Sequence, residues 1–473
     1  MPHAHASRKL VVAFLALALP IAGGDGAEAQ EWKQYTNAKQ SGWSKTELRK
    51  ARRFAGTIGT AAVMIVDHGH VVEAWGAIEH PFKAASMRKS VYDATIGATH
   101  YASPFEINTE LGELGVDDLA PLSTEEKRAT FEHLLTARSG IYHPAAYETR
   151  SNADRRPKRG SARPGTQWYY NNWDFNVLCV AFKQLTGEGI KEAFADRLAK
   201  PLGMEDFQQR HVFDALEPRV SEHPAVTFRL SARDLARVGK LYLQDGRWEN
   251  DPIVSADWVK RSTEPHTTFE SGHYRGEGNG YGRLWWVFPA RLERNSPYQA
   301  HHRVAARGTG GQIMVLFPEL DVLIVQLADT DAGSGVSGRD GVKLLDMIIG
   351  ARKGGPASDA ALSRMRVKKL SGKSPAPLRT DLQAVPENRR NALEGRYAFT
   401  EKTAIRLYQF DDRLFVQPLG MRLTDIEVFQ ASDGTLRSPV ASPVFEPIPG
   451  SDGPVTAVRM SFRGRTQTGK RVE

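Results

Sequence analysis

The chain has 473 residues, of which 41% are hydrophobic and 25% charged, a composition typical of a globular protein with length for one large domain and a smaller one. Its formal net charge of +8 would suit nucleic acid or an anionic surface, but the sequence carries no nucleic-acid-binding motif, so no nucleic-acid partner is expected. The single cysteine, Cys179, excludes an intramolecular disulfide bond.

The first 29 residues are typical of a secretory signal peptide. Arg8 and Lys9 give a positive start, residues 10–22 form an apolar segment, and the sequence AEA at 27–29 is a cleavage site of small residues. The apolar segment is shorter than the ~20 residues that a membrane-spanning helix needs, and no later run is long enough to span. We therefore expect an exported protein, periplasmic or secreted, without a stable membrane span.

Helix and strand patterns follow the signal in a clear order. The segment at 44–55, "SKTELRKARRFA", predicts a helix that opens on a serine N-cap. The segment at 60–76, "TAAVMIVDHGHVVEAWG", predicts two strands joined by a tight turn. Residues 119–229 are mostly helical patterns separated by loops, and the densest basic stretch, at 153–165, is interpreted as a solvated loop.

Strand patterns return after a further helix at 231–246. They are "YGRLWWVF" at 281–288, "GQIMVLFP" at 311–318 and "DVLIVQLAD" at 321–329. Strands at both ends with helices between them predict an α/β (α+β) fold, in which one antiparallel sheet is built from N- and C-terminal strands and flanked by helices, beside a mostly helical region. This first domain is expected to span residues 30–353.

The composition changes after this domain. Residues 354–384 are rich in Pro, Ser, Lys and Ala without apolar periodicity, which predicts a linker. Residues 385–473 contain short strand-like runs separated by turn pairs such as Asp411 with Asp412. They predict a small β-barrel or sandwich, in which no catalytic set is visible.

The segment "AASMRKSVYDATIG" at 84–97 contains the first chemistry-bearing motif. Ser86 and Lys89 are three residues apart at the predicted start of a helix, so their side chains would share a face within hydrogen-bond reach. That geometry suits a nucleophile and its base, and the free N–H groups of the first turn favour negative charge on an attacked carbonyl. A serine in this place is also an ordinary N-cap, so the motif alone leaves both interpretations open.

A second motif follows in "PGTQWYYNNWDF", where Tyr170 and Asn172 form a Tyr-x-Asn triplet before an amphipathic helix. With Ser86 and Lys89 in S-x-x-K, the chain here resembles the serine β-lactamase and penicillin-binding-protein superfamily, specifically its class C branch and the related esterases and amide hydrolases. The resemblance spans about residues 44–350 and implies the β-lactamase/transpeptidase fold.

The superfamily's third motif, Lys-Thr-Gly or His-x-Gly, corresponds to Ala306, Arg307 and Gly308, followed by Thr309. The cation that helps such proteins bind a substrate carboxylate is thus replaced by Ala306. This departure favours the esterase and 6-aminohexanoate-dimer hydrolase branch over true β-lactamases. Arg307 is a candidate replacement, but strand alternation predicts that its side chain leaves by the opposite face.

The resemblance implies Ser86 as the acylated nucleophile, with Lys89 and Tyr170 sharing proton transfer. A lysine acts as a base only when neutral, so burial and nearby positive charge must lower its pKa. Asn172 is expected to orient Lys89 or the substrate carbonyl, and the backbone N–H groups of Ser86 and Thr309 to form the oxyanion hole.

Two aromatic residues are further candidates for substrate contact. Tyr142 lies in "SGIYHP", which the superfamily places beside the site, and Trp173 follows the Tyr-x-Asn triplet. Core packing is the alternative for such aromatic residues. No metal or organic cofactor is required by this set.

The sequence therefore predicts an exported serine hydrolase that cleaves a small ester, amide or peptide through an acyl-enzyme. A β-lactamase or D-alanyl-D-alanine carboxypeptidase is the alternative within the same chemistry, weakened by Ala306. A non-catalytic sensor or scaffold that keeps the fold is a third hypothesis, which predicts no reactivity at Ser86.

Overall fold

The computed structural model describes residues 31–472 except 38, 270–279, 373, 422–424, 440–442, 451–453 and 463. The predicted signal peptide, residues 1–29, lies outside the described residues. None of the helices in the described parts of the chain combines the length and the apolar character that a bilayer crossing requires.

Short strands recur along the chain before residue 384. In chain order they are β1 (Lys33–Tyr35), β2 (Thr60–Asp67), β3 (His70–Gly76), β4 (Phe82–Lys83), β5 (Val212–Ala215), β6 (Ala225–Leu230), β7 (Arg247–Trp248), β8 (Asp251–Pro252), β9 (Thr267–Thr268), β10 (Gly280–Tyr281), β11 (Trp286–Phe288), β12 (Arg303–Gly308), β13 (Gln312–Phe317), β14 (Val322–Ala328), β15 (Leu362–Arg364) and β16 (Val367–Lys368).

Most of these strands form one large sheet, in the order β15-β1-β3-β2-β14-β13-β12-β11-β10-β9. Neighbouring strands in it run antiparallel, except that β1 and β16 lie parallel to β3. Strand β14 pairs with β2, which joins the late strands to the early ones. The predicted sheet from both ends of the domain is therefore confirmed.

The β2–β3 connection shows why this part of the chain folds as predicted. His68 and Gly69 form the tip of the turn with φ angles of 48° and 72°. Positive φ at both central residues is the geometry of the hairpin turn whose twist matches the flanking strands, and glycine adopts it without strain. The apolar side chains of β2 are then buried on both faces of the sheet.

Helices cover the sheet and build the region beside it. They are α1 (Lys45–Ala55), α2 (Arg88–Ala102), α3 (Phe131–Leu135), α4 (Arg150–Ala153), α5 (Asn172–Thr186), α6 (Ile190–Ala193), α7 (Ala232–Leu243), α8 (Ala256–Thr263) and α9 (Gly338–Gly350). Ser44 caps α1 as predicted, since its side chain accepts a hydrogen bond from the Glu47 N–H.

Helix α2 is the central helix, buried on every side from Arg88 to Thr99. A charged group inside it needs many partners, because an unpaired buried carboxylate is strongly unfavourable. Asp93 of α2 accepts hydrogen bonds from four side chains, those of Tyr242, Trp258, Ser262 and Trp285. These bonds hold α2 against α7, α8 and the segment before β11, and so fix the helix that begins next to Ser86.

Three predicted boundaries differ from the structure. The mostly helical region also contains β5 and β6, which form a small sheet with β4. The run at 281–288 is split into β10 and β11, because Leu284 between them adopts a positive φ of 61°. Strands β15 and β16 lie inside the predicted linker 354–384 and pair with β1 and β3, so this stretch is partly integrated into the large sheet.

The C-terminal region is a closed barrel, which decides between the two predicted forms. Its elements are α10 (Glu387–Leu393), β17 (Gly395–Ala398), β18 (Ala404–Phe410), β19 (Arg413–Leu419), β20 (Ile426–Gln430), β21 (Leu436–Arg437), β22 (Val444–Pro449), β23 (Val455–Phe462) and β24 (Arg465–Arg471). The predicted turn pair Asp411 and Asp412 joins β18 to β19, with φ angles of 48° and 56°. The barrel has a hydrophobic core of its own.

Candidate active site

Ser86 and Lys89 meet as the spacing predicts. Ser86 lies in a single 3-10 turn, 85–87, that leads into α2, and Lys89 Nζ donates a hydrogen bond to Ser86 Oγ over 3.0 Å. Helix α2 has Met87 at its N-cap position, and no side-chain cap bond is made there. The ordinary N-cap interpretation of Ser86 is therefore wrong, since its hydroxyl contacts the lysine instead.

The Lys89 amine is almost fully buried, with 1% of the residue exposed. Burial lowers the pKa of Lys89 well below its ordinary value, the neighbouring Arg88 lowers it further, and Glu148 raises it in part. Lys89 Nζ also lies 4.8 Å from the ring centroids of both Tyr170 and Phe175. A lysine with a lowered pKa has a larger neutral fraction at a given pH, and a neutral amine can accept the serine proton.

Tyr170 is positioned by the residue that follows it. The Asn171 side chain caps α5 by accepting from the Trp173 N–H, while its amide donates to Ile141 O and Asp174 Oδ1 at 2.6 and 2.7 Å. Asn171, and not Asn172, is therefore the N-cap of α5. The side chain of Asn172 interacts with Glu148 instead. The loop before α5 thus holds the Tyr170 ring against Lys89, and Asn172 begins the helix that follows.

The strand that carries the third motif corrects one prediction. In the β11–β12 register Ala305 lies opposite Trp286, so the side chain of Arg307, two residues on, shares the Trp286 face. The Arg307 guanidinium lies 5.9 Å from the Trp286 ring, and that ring stacks on Tyr170 at 5.4 Å. The prediction that Arg307 leaves the site is therefore wrong: it is Ala306, 1% exposed, that points into the core.

The end of β12 lies directly against the turn that carries Ser86. A Cβ atom added to Gly308 would be 2.7 Å from the Ala84 carbonyl oxygen and 3.1 Å from Ala85 Cβ. Only glycine allows this approach without a shift of the backbone. Thr309, which is exposed, directly follows Gly308. Its backbone N–H therefore lies next to the point where the strand passes the serine turn.

The two aromatic candidates differ in their surroundings. Trp173 is fully buried, and its indole N–H donates to Asp118 over 2.7 Å. Trp173 is therefore a core residue and not the substrate contact that the sequence suggested. Tyr142 is 4% exposed and packs edge-on against Tyr169, next to Tyr170 in the chain. Burial raises the pKa of Tyr142 to about 12.

Sequence reasoning missed Glu148 and Arg156. Both lie in the stretch between α3 and α5, where the sequence shows only scattered charges, and Arg156 belongs to the basic run interpreted as a solvated loop. In the structure they form an ion pair whose side chains are 5% and 19% exposed, respectively. This ion pair depends on packing between segments, which no local sequence pattern specifies.

Comparisons with known proteins match a large part of the chain to one family model. Residues 40–346 match the family model described as Beta-lactamase. A search of curated proteins found no significant match.

Among the solved structures that match this chain are three with low identity to it. SurE with D-Leu is 15% identical with a TM-score of 0.47, over 90% of this chain and 99% of that one. The octameric penicillin-binding protein homologue from Pyrococcus abyssi is 16% identical with a TM-score of 0.47, over 90% and 99%. EstCE1, a hydrolase with promiscuous acyltransferase activity, is 15% identical with a TM-score of 0.46, over 64% and 98%.

Proposed function

The chain belongs to the beta-lactamase family over residues 40–346, and from that premise we propose that it is an exported serine hydrolase acting through an acyl-enzyme on an ester or amide of a small substrate. The observation that carries the proposal is the 3.0 Å hydrogen bond between the buried Lys89 amine and the partly exposed Ser86 hydroxyl. Members of this family are generally serine hydrolases.

In the proposed reaction Ser86 Oγ attacks the substrate carbonyl carbon while its proton passes to the neutral Lys89 amine. The developing oxyanion accepts hydrogen bonds from the backbone N–H groups of Ser86 and Thr309. The proton then moves, with Tyr170 as relay, to the leaving oxygen or nitrogen as its bond to the carbonyl carbon breaks. Water then attacks the acyl carbon and gives a proton to the Lys89 and Tyr170 pair; the bond from that carbon to Ser86 Oγ breaks, Oγ takes the proton back, and the free acid leaves.

A second candidate function is supported by Arg307. Its guanidinium lies on the Trp286 and Tyr170 side of β12, where a cation suits a substrate carboxylate. A β-lactam or a D-alanyl-D-alanine terminus carries such a carboxylate. We rank this candidate second because Ala306 occupies the position that the superfamily gives to its cation.

The test is intact-mass spectrometry after incubation with a fluorophosphonate and, separately, with benzylpenicillin, followed by peptide mapping. We expect one fluorophosphonate adduct on Ser86, and its loss in Ser86→Ala. Ser90→Ala is the matched control, because Ser90 lies one turn further along α2 and its hydroxyl donates a hydrogen bond to the Leu284 carbonyl over 2.8 Å.

Each result has a distinct meaning. A stable penicillin adduct on Ser86 would move the substrate class to the second candidate. Labelling that persists in Ser86→Ala would remove Ser86 from the nucleophile role, and absence of labelling by both reagents in folded protein would favour a binding protein without catalysis.

A further inference from the structure

Glu148 carries a buried carboxylate whose charge acts on the proposed catalytic lysine, Lys89. Its side chain is 5% exposed, and Glu148 Oε2 accepts a hydrogen bond from Arg156 Nη2. The other oxygen, Oε1, is buried and accepts no well-aligned hydrogen bond from any residue that the structure describes. A carboxylate held inside the protein with one oxygen that lacks a well-aligned hydrogen bond is unfavourable for stability alone.

The loop around Glu148 is held firmly in place. The Tyr147 N–H donates to Glu217 Oε1 over 2.7 Å, although Tyr147 adopts a positive φ of 59° that is strained for a non-glycine residue. The Tyr147 ring faces Arg88 at 5.6 Å. On the other side of Glu148, the Tyr169 hydroxyl donates to Asn152 O over 2.7 Å. These contacts connect the loop with the segment before Tyr170.

The charged and titratable groups that face Lys89 come from several elements. Arg88 of α2 and Glu148 of the loop act on it with opposite signs, and the Tyr170 ring lies against it. Burial raises the pKa of Glu148 above its ordinary value, and Arg156, Asn172 and Lys89, which favour its ionised form, offset this rise only in part. Tyr147 faces Arg88 rather than Lys89.

We propose that Glu148, braced by Arg156, is a positioning residue of the acylation machinery: its carboxylate orients the Asn172 amide and offsets the charge of Arg88 at Lys89. This inference rests on the proposed function, because it assigns Glu148 a task only if Lys89 takes the proton of Ser86. Glu148 acts through Lys89 and Asn172 and does not itself touch the substrate.

Two substitutions should move the pH dependence of acylation in opposite directions. Glu148→Gln removes an anion that favours the ammonium form of Lys89, so Lys89 becomes neutral at lower pH. The rising limb of the plot of acylation rate against pH should therefore shift to lower pH by about one unit. Arg156→Gln removes a cation, which favours proton uptake by the coupled Glu148 and Lys89 pair, so the limb shifts up. A purely structural role would lower the rate without moving the limb.

The measurement is the rate of fluorophosphonate labelling of Ser86 as a function of pH, in the full chain, with thermal melting as the check of folding. Glu126→Gln is the matched control: Glu126 is also a buried carboxylate paired with an arginine, Arg159, and is 7% exposed. We expect its limb to coincide with that of the wild type.

The outcomes separate the two proposals. If the wild type is not labelled, the proposed function fails. If the wild type is labelled and the limbs of Glu148→Gln and Arg156→Gln coincide with it, or if the wild-type rate does not depend on pH, the inference about Glu148 is overturned. If Glu148→Gln does not fold, Arg156→Gln decides, since an unmoved limb in that variant contradicts the inference by itself.

Discussion

Lys89 owes its proposed chemistry to what surrounds it. A lysine in water is charged at neutral pH, whereas Lys89 is buried beside Arg88, and both burial and that cation lower its pKa. Its Nζ atom lies 3.0 Å from Ser86 Oγ and 4.8 Å from the centre of the Tyr170 ring. One tyrosine thus lies where a proton could be exchanged with the lysine.

Tyr170→Phe tests this proton exchange, because it removes only the phenolic hydroxyl group. The substitution keeps the ring over Lys89 and its stacking on Trp286, so the thermal melting temperature should change little. We expect the rate of Ser86 labelling to fall about 100-fold if the hydroxyl relays protons.

The control for Tyr170→Phe is Tyr397→Phe in the barrel, where the removed hydroxyl donates to the Leu393 carbonyl over 2.7 Å. It should label at the wild-type rate. An unchanged rate in Tyr170→Phe would leave Lys89 as the only base.

Secondary-structure elements contribute by bringing two backbones together. The end of β12 reaches the serine turn only because Gly308 has no side chain, and the pairing of β12 with β13 holds this end of the strand in place. The site therefore depends on a contact between an N-terminal helix start and a C-terminal strand.

Gly308→Ala should disturb this contact. The new Cβ would lie 2.7 Å from the Ala84 carbonyl oxygen, which forces the strand or the serine turn to move. We expect the free energy of unfolding to fall by about 1–3 kcal/mol and Ser86 labelling to slow at least about 10-fold, since a displacement of about 1 Å can cost two orders of magnitude.

Gly338→Ala is the matched control for Gly308→Ala, because a Cβ there meets no atom within 4 Å. Chemical denaturation and labelling kinetics of the two variants check the prediction. Equal behaviour of both alanine variants would show that the close approach is not needed.

The barrel joins the rest of the molecule through an ion cluster near the serine turn. Arg229 of β6 pairs with Asp331 at 2.6 Å and donates to the Pro439 carbonyl in the barrel region at 3.0 Å. Asp331 also pairs with Lys83 of β4, three residues before Ser86. The cluster therefore connects the barrel, the small sheet and the start of the proposed catalytic segment.

The Asp331 carboxylate gives this cluster a pH dependence. Burial alone would raise the pKa of Asp331, but Arg229 and Lys83 outweigh it and lower the pKa to about 2. Because the folded-state pKa lies below the ordinary value of 3.8, the stabilisation is complete above about pH 4 and is lost as the pH falls through about 2.

Asp331→Asn should therefore lower the free energy of unfolding at neutral pH by about 1 kcal/mol, a figure reduced for solvent screening, and flatten its fall in that acid window. Urea unfolding at several pH values measures both effects. Asp359→Asn, at an exposed aspartate, should leave the curve unchanged; an identical curve for Asp331→Asn would contradict the role of the cluster.

Much of the fold followed from local patterns. The β2–β3 hairpin, the α1 cap at Ser44 and the barrel turn at Asp411 and Asp412 depend on a few adjacent residues, and all three agree with the structure. The incorporation of β15 and β16 into the large sheet was missed, because strands this short gain their stability from the sheet edge that they meet and not from their own residues.

By itself the sequence determined the meeting of Ser86 with Lys89, because residues three apart on a helix share a face whatever surrounds them. Only the tertiary structure decided that Arg307 faces Tyr170 across Trp286, that Trp173 belongs to the core, and that the charge of Glu148 acts on Lys89. These relations join segments far apart in the chain, and their geometry is set by strand register and side-chain packing, which local spacing does not specify.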